Sequence, residues 1–340
     1  MRAIFVRLAS VFVLVALAAC GKSPEPSANS GTSAAGAPLP KVRFQTDWYP
    51  QAEHGGHYQA IARGFYREAG IDVEILPGGP GAAPPQKLLS GTAEIAMGRS
   101  DDLIVNAETG LPFIIVGALM QQDPQALLLH DESPVKNFSD LNGKAIMAVP
   151  GSNWITFIKA RYKIDFSVIP LNYGLAQFMS DKNFIQQCFV TNEPFFVAQN
   201  HGKARTLLLA DSGFRPYRVY YCTQKYAREH PTEIRAFVAA SIRGWDDFLQ
   251  GDPAPGKKLI AKLNEQMTEA FMDFSLKAMK ESKLVEGDPA RGEQTGLITR
   301  QRLQQQMDLL LELKIISAPV PFEKFASFDF LPPALKAKAN

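Results

Sequence analysis

From Lys41 onward, apolar and polar positions switch repeatedly between a two-residue and a roughly 3.6-residue period, which predicts strands and helices in alternation. Val42 to Thr46 predicts a first strand. After Pro50 and Gly55-Gly56, residues Tyr58, Ile61, Ala62, Phe65 and Ala69 fall at helical spacing, with Gly70 where a helix C-cap belongs. Ile71 to Leu76 alternates as a second strand, Pro77 to Gly81 is a turn, and Pro84-Pro85 opens a short helix ending at Gly91. Glu94 to Gly98, Asp101 to Glu108 and Phe113 to Leu119 continue as strand, helix and strand, and this βαβ rhythm predicts a mostly parallel sheet.

Leu127-Leu128-Leu129 reads as extended chain, and a turn at Ser139 to Lys144 precedes a new strand, Ala145 to Val149, in a second lobe. That lobe continues through a helix from Asn153 to Tyr162, a Phe-rich stretch to Val190, and a helix opened by Pro194 and closed by Gly202. Thr206 to Ala210 is its last expected strand, and Val219 to Thr223 leads back to the first lobe. The chain is therefore expected to cross between lobes twice, with 41–128 and 216–330 in lobe 1 and 129–215 in lobe 2. Beyond Pro231, Ile234, Phe237, Val238, Trp245, Phe248 and Leu249, then Leu303, Met307, Leu310 and Leu311, predict helices packing on the first lobe.

The N-terminus reads differently. Arg2 and Arg7 flank Val11 to Ala19, an apolar run too short to span a bilayer, so residues 1–19 are expected to be a signal peptide. Leu17-Ala18-Ala19-Cys20 resembles the bacterial lipobox, which implies acylation of Cys20 and an exported, membrane-anchored lipoprotein on a periplasmic or cell-surface face. The lipid would be its sole membrane attachment. Residues 20–40 are rich in Ser, Pro, Ala and Gly, too poor in bulky apolar groups to offset their own ordering entropy, and predict a flexible tether.

Composition narrows the function. Of 340 residues 46% are apolar, enough for two cores, and without Arg2 and Arg7 the 36 basic residues become 34, matching the 34 acidic ones. No basic stripe and no zinc-type Cys/His spacing appears, so no nucleic-acid partner is expected, and a monomer is. Cys188 and Cys222 either pair on the oxidising side of a membrane or stay as buried thiols. His54 and His57 lack further ligands at metal-binding spacing, so no metal is expected. No Ser-His-Asp order, nucleophile elbow or phosphoryl-transfer set emerges, which points to a binding protein without a cofactor rather than to an enzyme.

The candidate site gathers where strands end, since ligands of open α/β sheets collect outside the carboxyl ends of strands. After the first strand, Trp48 and Tyr49 offer flat faces for a planar ring, Asp47 and Gln51 can fix its edge, and His54 and Tyr58 follow nearby. Gly79 in the turn 77–81 is either a plain turn residue or a place where bare backbone meets a ligand. Ser100 and Asp101 follow the third strand and could equally cap a helix. From the second lobe, Ser152, Asn153 and Trp154 bring another hydroxyl, amide and indole, and Glu193 after Asn192 matches the donor and acceptor edge of an aminopyrimidine, unless it only favours a helix terminus. Tyr173, Tyr220 and Tyr221 are weaker candidates. The expected partner is a small heteroaromatic solute.

Several of these segments together resemble the NMT1/THI5-like group of solute-binding proteins of ABC importers: Phe44 to Pro50 with His54 and Tyr58, Gly64-Phe65-Tyr66 through Gly70 to Val73, Ser90 to Ala96, Asp140 to Lys144 with Gly151-Ser152, and Asn192-Glu193-Pro194. The likeness covers roughly residues 41–250 and implies an α/β, type II periplasmic-binding-protein fold of two lobes with a double-strand hinge, serving an ABC importer permease. The Asp-Trp-Tyr-Pro opening looks most like the branch that binds thiamine pyrimidine precursors such as N-formyl-4-amino-5-aminomethyl-2-methylpyrimidine. Related members bind riboflavin or sulfonates. Eukaryotic members are pyridoxal-phosphate-dependent pyrimidine synthases with a Cys-Cys-Cys-Phe-Cys stretch, which this chain lacks.

Overall fold

The computed structural model describes residues 38–339. The expected signal peptide, Cys20 and all but the last residues of the tether lie outside that span. Two five-stranded sheets organise the rest. The first holds β1 (Lys41–Gln45), β2 (Asp72–Leu76), β3 (Ile95–Arg99) and β4 (Phe113–Met120); the second holds β5 (Gln125–His130), β6 (Ala145–Ala148), β7 (Ser167–Pro170), β8 (Ile185–Phe189) and β9 (Ala204–Leu208). β10 (Arg218–Thr223) returns to the first sheet.

Strand order is β2-β1-β3-β10-β4 in one sheet and β7-β6-β8-β5-β9 in the other. β1 pairs in parallel with β2 and β3, and β6 with β7 and β8, as the βαβ rhythm requires. The antiparallel members are β10 and β5, the strands that enter each sheet directly from a crossing. This is the α/β architecture of two lobes joined by two chain crossings.

All eight residues of β4 are buried, which is why it reads as an unbroken apolar run rather than an alternating one. β5 lies within the second sheet, with Leu127 and Leu129 packed into that lobe's own core and Ala126 and Leu128 on the opposite face. The first crossing is therefore residues 121–124, ahead of the boundary expected at residue 128, because Pro124 marks it more truly than the leucine run does. The Phe-rich stretch contains β7, partly exposed, and β8, buried except at Phe189, strands of four and five residues too short to show a period. The helix expected from Tyr58 to Ala69 is two, Gly55–Ala62 and Phe65–Glu68, parted at Gly64 with φ of 77°.

The helix Pro231–Gln250 crosses Gly55–Ala62 at very short range: a Cβ on Gly244 would stand 2.1 Å from the carbonyl oxygen of Gly56, and one on Gly56 would stand 2.3 Å from the Trp245 ring. This contact seats the loop between β1 and the helix on the first lobe. The later helices do more than cover that lobe. On Glu269–Glu281, Phe271 stacks on Phe195 of the second lobe with centroids 4.7 Å apart, and Ser275 Oγ donates to the Thr191 carbonyl at 2.7 Å. On Arg300–Glu312, Arg302 donates to the carbonyls of Gln121 and of Arg215, the latter at 3.0 Å, and so ties both crossings together. Cys188 on β8 and Cys222 on β10 are both buried and free. Among the described residues no helix is long and apolar enough to cross a membrane.

Candidate functional site

The carboxyl ends of the parallel strands of both lobes meet around a cavity of about 530 Å³. From the first lobe come Asp47, Trp48, Tyr49 and Gln51 after β1, Gly79 after β2, and Arg99 at the end of β3. From the second come Tyr173 beyond β7, Phe189 at the end of β8, and Asn192 and Glu193 at the start of the helix Glu193–Gln199. The crossings supply Asp123, and β10 supplies Arg218 at its first position.

Backbone approach explains the glycine-rich turn. Gly78 N donates to the Trp48 carbonyl at 2.9 Å and Gly79 N to the Asp47 carbonyl at 3.2 Å, so the turn after β2 holds the aromatic loop after β1. A Cβ on Gly78 would lie 2.4 Å from the Asp47 carbonyl carbon and 2.6 Å from Trp48 N. Backbone cannot swing aside as a side chain can. Gly78→Ala is therefore expected to lose about 1–3 kcal/mol of stability and to weaken solute binding, whereas Gly81→Ala, with open space around it but φ of 80°, carries only the backbone strain of that turn and leaves binding and the Asp47-Trp48 loop in place. Thermal melts of both variants check this, and equal binding by the Gly78 variant would contradict it.

A charge network floors the cavity. Arg218 is buried and pairs with Asp47, with Asp123 Oδ2 3.5 Å from its other terminal nitrogen. Burial by itself pushes the Asp47 carboxyl up, but the Arg218 guanidinium and His54, whose Nε2 lies 3.4 Å away, outweigh it and hold that carboxyl well below the ordinary range. Glu193 has no cation beside it. Burial raises its pKa to about 7, partly countered by the Phe189 N–H, which donates to Glu193 Oε2 at 2.7 Å. Glu193 can thus present either a proton or a lone pair at neutral pH.

Aromatic groups form the walls and the mouth. Trp48 meets Tyr49 edge-on at 5.5 Å and, across the opening, the Tyr173 ring of the second lobe at 5.1 Å. Tyr173 sits in the left-handed region at φ 62°, where a non-glycine residue carries strain that its surroundings must hold. Three polar atoms of lining residues, Asp123 Oδ2, Asn192 Oδ1 and Arg218 Nε, are buried without a hydrogen-bond partner among the described residues, the state expected of groups that await a ligand.

Seven of the residues expected at the site, and two of the three weaker candidates, stand away from the cavity. Trp154 is fully buried in the second lobe's core, its ring stacked over Phe166 at 6.3 Å, because the helix Asn153–Tyr162 turns that position inward. His54 lies buried behind Asp47, and Tyr58 is buried within the first lobe. Ser100 accepts from Tyr217 N at 2.9 Å and donates to Gln306 at 2.6 Å. Asp101 sits under Arg99 and accepts from Asn153 Nδ2 at 2.8 Å, so these two join the lobes to each other rather than to a ligand. Burial raises the Asp101 pKa to about 6 in spite of Arg99. Ser152 donates to the Val149 carbonyl at 2.9 Å and closes the turn after β6. Tyr220 and Tyr221 are buried in β10.

Asp123, Arg218, Phe189 and Phe271 were absent from the expected set, and all four line the cavity. Arg218 carried one usable signal: an arginine opening an otherwise apolar strand needs a buried partner.

Comparison with known proteins bears on the fold and the family. The formylaminopyrimidine-binding protein of Halalkalibacterium halodurans is 29% identical over 121 residues, 35% of this chain and 36% of that protein, so the chain spans little more than a third of that relative's length. The riboflavin-binding protein RibY of Chloroflexus aurantiacus is 23% identical over 255 residues, covering 70% of this chain and 72% of that one. Among solved structures, the alkanesulfonate-binding protein SsuA of Xanthomonas axonopodis pv. citri, bound to MOPS, superposes with a TM-score of 0.62 at 16% identity, covering 86% of this chain and 100% of that one. That likeness identifies the fold as the periplasmic-binding-protein type. Residues 51–254, more than half of the 340, match the NMT1/THI5-like family profile, and to that family this chain belongs.

Proposed function

We propose that this protein is the extracytoplasmic solute-binding component of an ABC importer, a lipoprotein anchored through Cys20, and that it captures a thiamine-precursor pyrimidine between its lobes. The observation that carries the reading is the cavity itself, where Trp48, Tyr49 and Tyr173 flank the mouth and Asn192 and Glu193 stand on the opposing lobe. A planar ring stacks against the former. Its aminopyrimidine edge meets a carboxyl that is half protonated near pH 7, able to donate to a ring nitrogen or accept from the exocyclic amine.

A solute of about a dozen heavy atoms at roughly 0.8 kcal/mol per atom reaches about 10 kcal/mol, or a Kd of tens of nanomolar. Riboflavin is the second reading, favoured by volume: about 530 Å³ lies in the range that takes drug-sized ligands and leaves room around one pyrimidine ring. Titration calorimetry with N-formyl-4-amino-5-aminomethyl-2-methylpyrimidine, riboflavin and an alkanesulfonate separates the readings. Sub-micromolar binding of the pyrimidine, recovered unchanged after incubation, is expected. Binding of riboflavin alone would replace the first reading with the second, and conversion of the pyrimidine would make the protein an enzyme.

A further inference from the structure

The charges lining the cavity bear on the solute in a way the aromatic walls do not. Two guanidiniums reach it, and both are engaged. Arg99 donates to Asp101, Asp102 and Gln125 at 3.0 to 3.4 Å, and Arg218 is paired with Asp47 and faces Asp123. Of the four aspartates around these two arginines, Asp47 and Asp123 line the cavity while Asp101 and Asp102 lie beyond Arg99, and Glu193 adds a third lining carboxyl. No lysine lines the cavity among the described residues.

Asp123 is the informative member. It is 6% exposed, it lines the cavity, and its Oδ1 accepts from Gln125 N at 2.9 Å while Oδ2 accepts no hydrogen bond among the described residues. Its ion pair with the Arg218 guanidinium at 3.5 Å leaves that buried oxygen without a hydrogen-bond donor, which a ligand can supply. The mouth above it is built of Trp48, Tyr49 and Tyr173, whose ring faces attract cations. Aromatic faces over surplus carboxylate suit an ammonium group, and the same surplus repels a sulfonate or phosphate.

We propose that, within the heterocycle-binding role inferred above, the cavity ranks its solutes by charge: a flat ring bearing a protonated amine binds more tightly than the same ring with a neutral substituent, the N-formyl amide included, and that in turn more tightly than the ring with an anionic one. The test uses the wild-type protein and three probes in calorimetry at one ionic strength: 4-amino-5-aminomethyl-2-methylpyrimidine, its 5-hydroxymethyl counterpart, and the phosphate ester of that alcohol. The amine is expected to bind at least tenfold more tightly than the alcohol, and the phosphate at least tenfold more weakly than the alcohol. Riboflavin against its 5′-phosphate repeats the comparison on a second ring, with the phosphate again the weaker. Asp123→Asn should shrink the amine's advantage over the alcohol several-fold, and rising salt should shrink it in the wild type, a readout that does not depend on how the variant folds.

Pyrimidine binding with the alcohol or phosphate equal to or tighter than the amine overturns the charge selection and leaves the pyrimidine reading intact. If the pyrimidines do not bind and the two flavins bind alike, the charge selection falls with the pyrimidine reading, and so it does if no ring binds.

Discussion

Arg218→Ala is expected to cost about 3–5 kcal/mol of stability and to abolish solute binding. The guanidinium is buried, bonded to Asp47, 3.5 Å from Asp123 and 6.0 Å above the Phe189 ring of the second lobe. Without it, burial acts on the Asp47 carboxyl with only His54 left to oppose it, and Asp123 loses its cation. Either charge must then take up a proton or draw in water, and the loop carrying Trp48 moves with it. Urea unfolding measures the loss. A suitable control is Lys41→Ala, which breaks the exposed pair with Glu74 at 2.6 Å and should change stability by less than about 1 kcal/mol. Adding Asp47→Asn to Arg218→Ala should recover part of the loss, since the two residues act as one unit. An Arg218 variant no less stable than the Lys41 control would show that the network does not hold the floor together.

Two tryptophans should respond in opposite ways. Trp154 is completely buried with Phe166 over its ring, so Trp154→Ala opens a void in the second lobe and is expected to cost about 3–5 kcal/mol. Whatever protein still folds should bind solute as before. Trp48 lines the cavity and meets Tyr49 and Tyr173, so Trp48→Ala should alter stability by only about 1 kcal/mol while weakening binding by about 2 kcal/mol or more, some thirtyfold in Kd. Paired melts and calorimetry on the two variants decide it. Loss of affinity in folded Trp154→Ala, with none in Trp48→Ala, would reverse the assignment of which indole the solute meets.

The two indoles also show how much of the site was legible in the residues alone. Trp48 and Trp154 each follow a strand and stand near a helix start, and a one-dimensional reading treats them alike. Trp48 belongs to a loop held outward by the backbone bonds of Gly78 and Gly79, whereas Trp154 is already helical. A helical position faces whatever its turn dictates, and here that is the core. Asn153 and Asp101 are polar groups near strand ends, which makes them candidates for a ligand, but they find each other across the cleft at 2.8 Å. Asp123, on the first crossing, carries no signal in the residues around it, and the arginine that opens β10 points to a buried partner without saying which one.

By itself the sequence determined whatever depends on neighbours along the chain: the apolar runs that become β1 to β4, the helix Pro231–Gln250, the aromatic loop at the end of β1, and the double passage between lobes. Those features follow from local periodicity and from the sterics of proline and glycine, which act over a few residues. Tertiary structure alone decided that β5 is an inner strand of the second sheet, between β8 and β9, that the C-terminal helices bind both crossings and both lobes, and which polar groups face the cavity. The physical reason is that burial and ion pairing depend on distance in space. Arg218 and Asp47 become partners only after the chain has passed through the second lobe and returned.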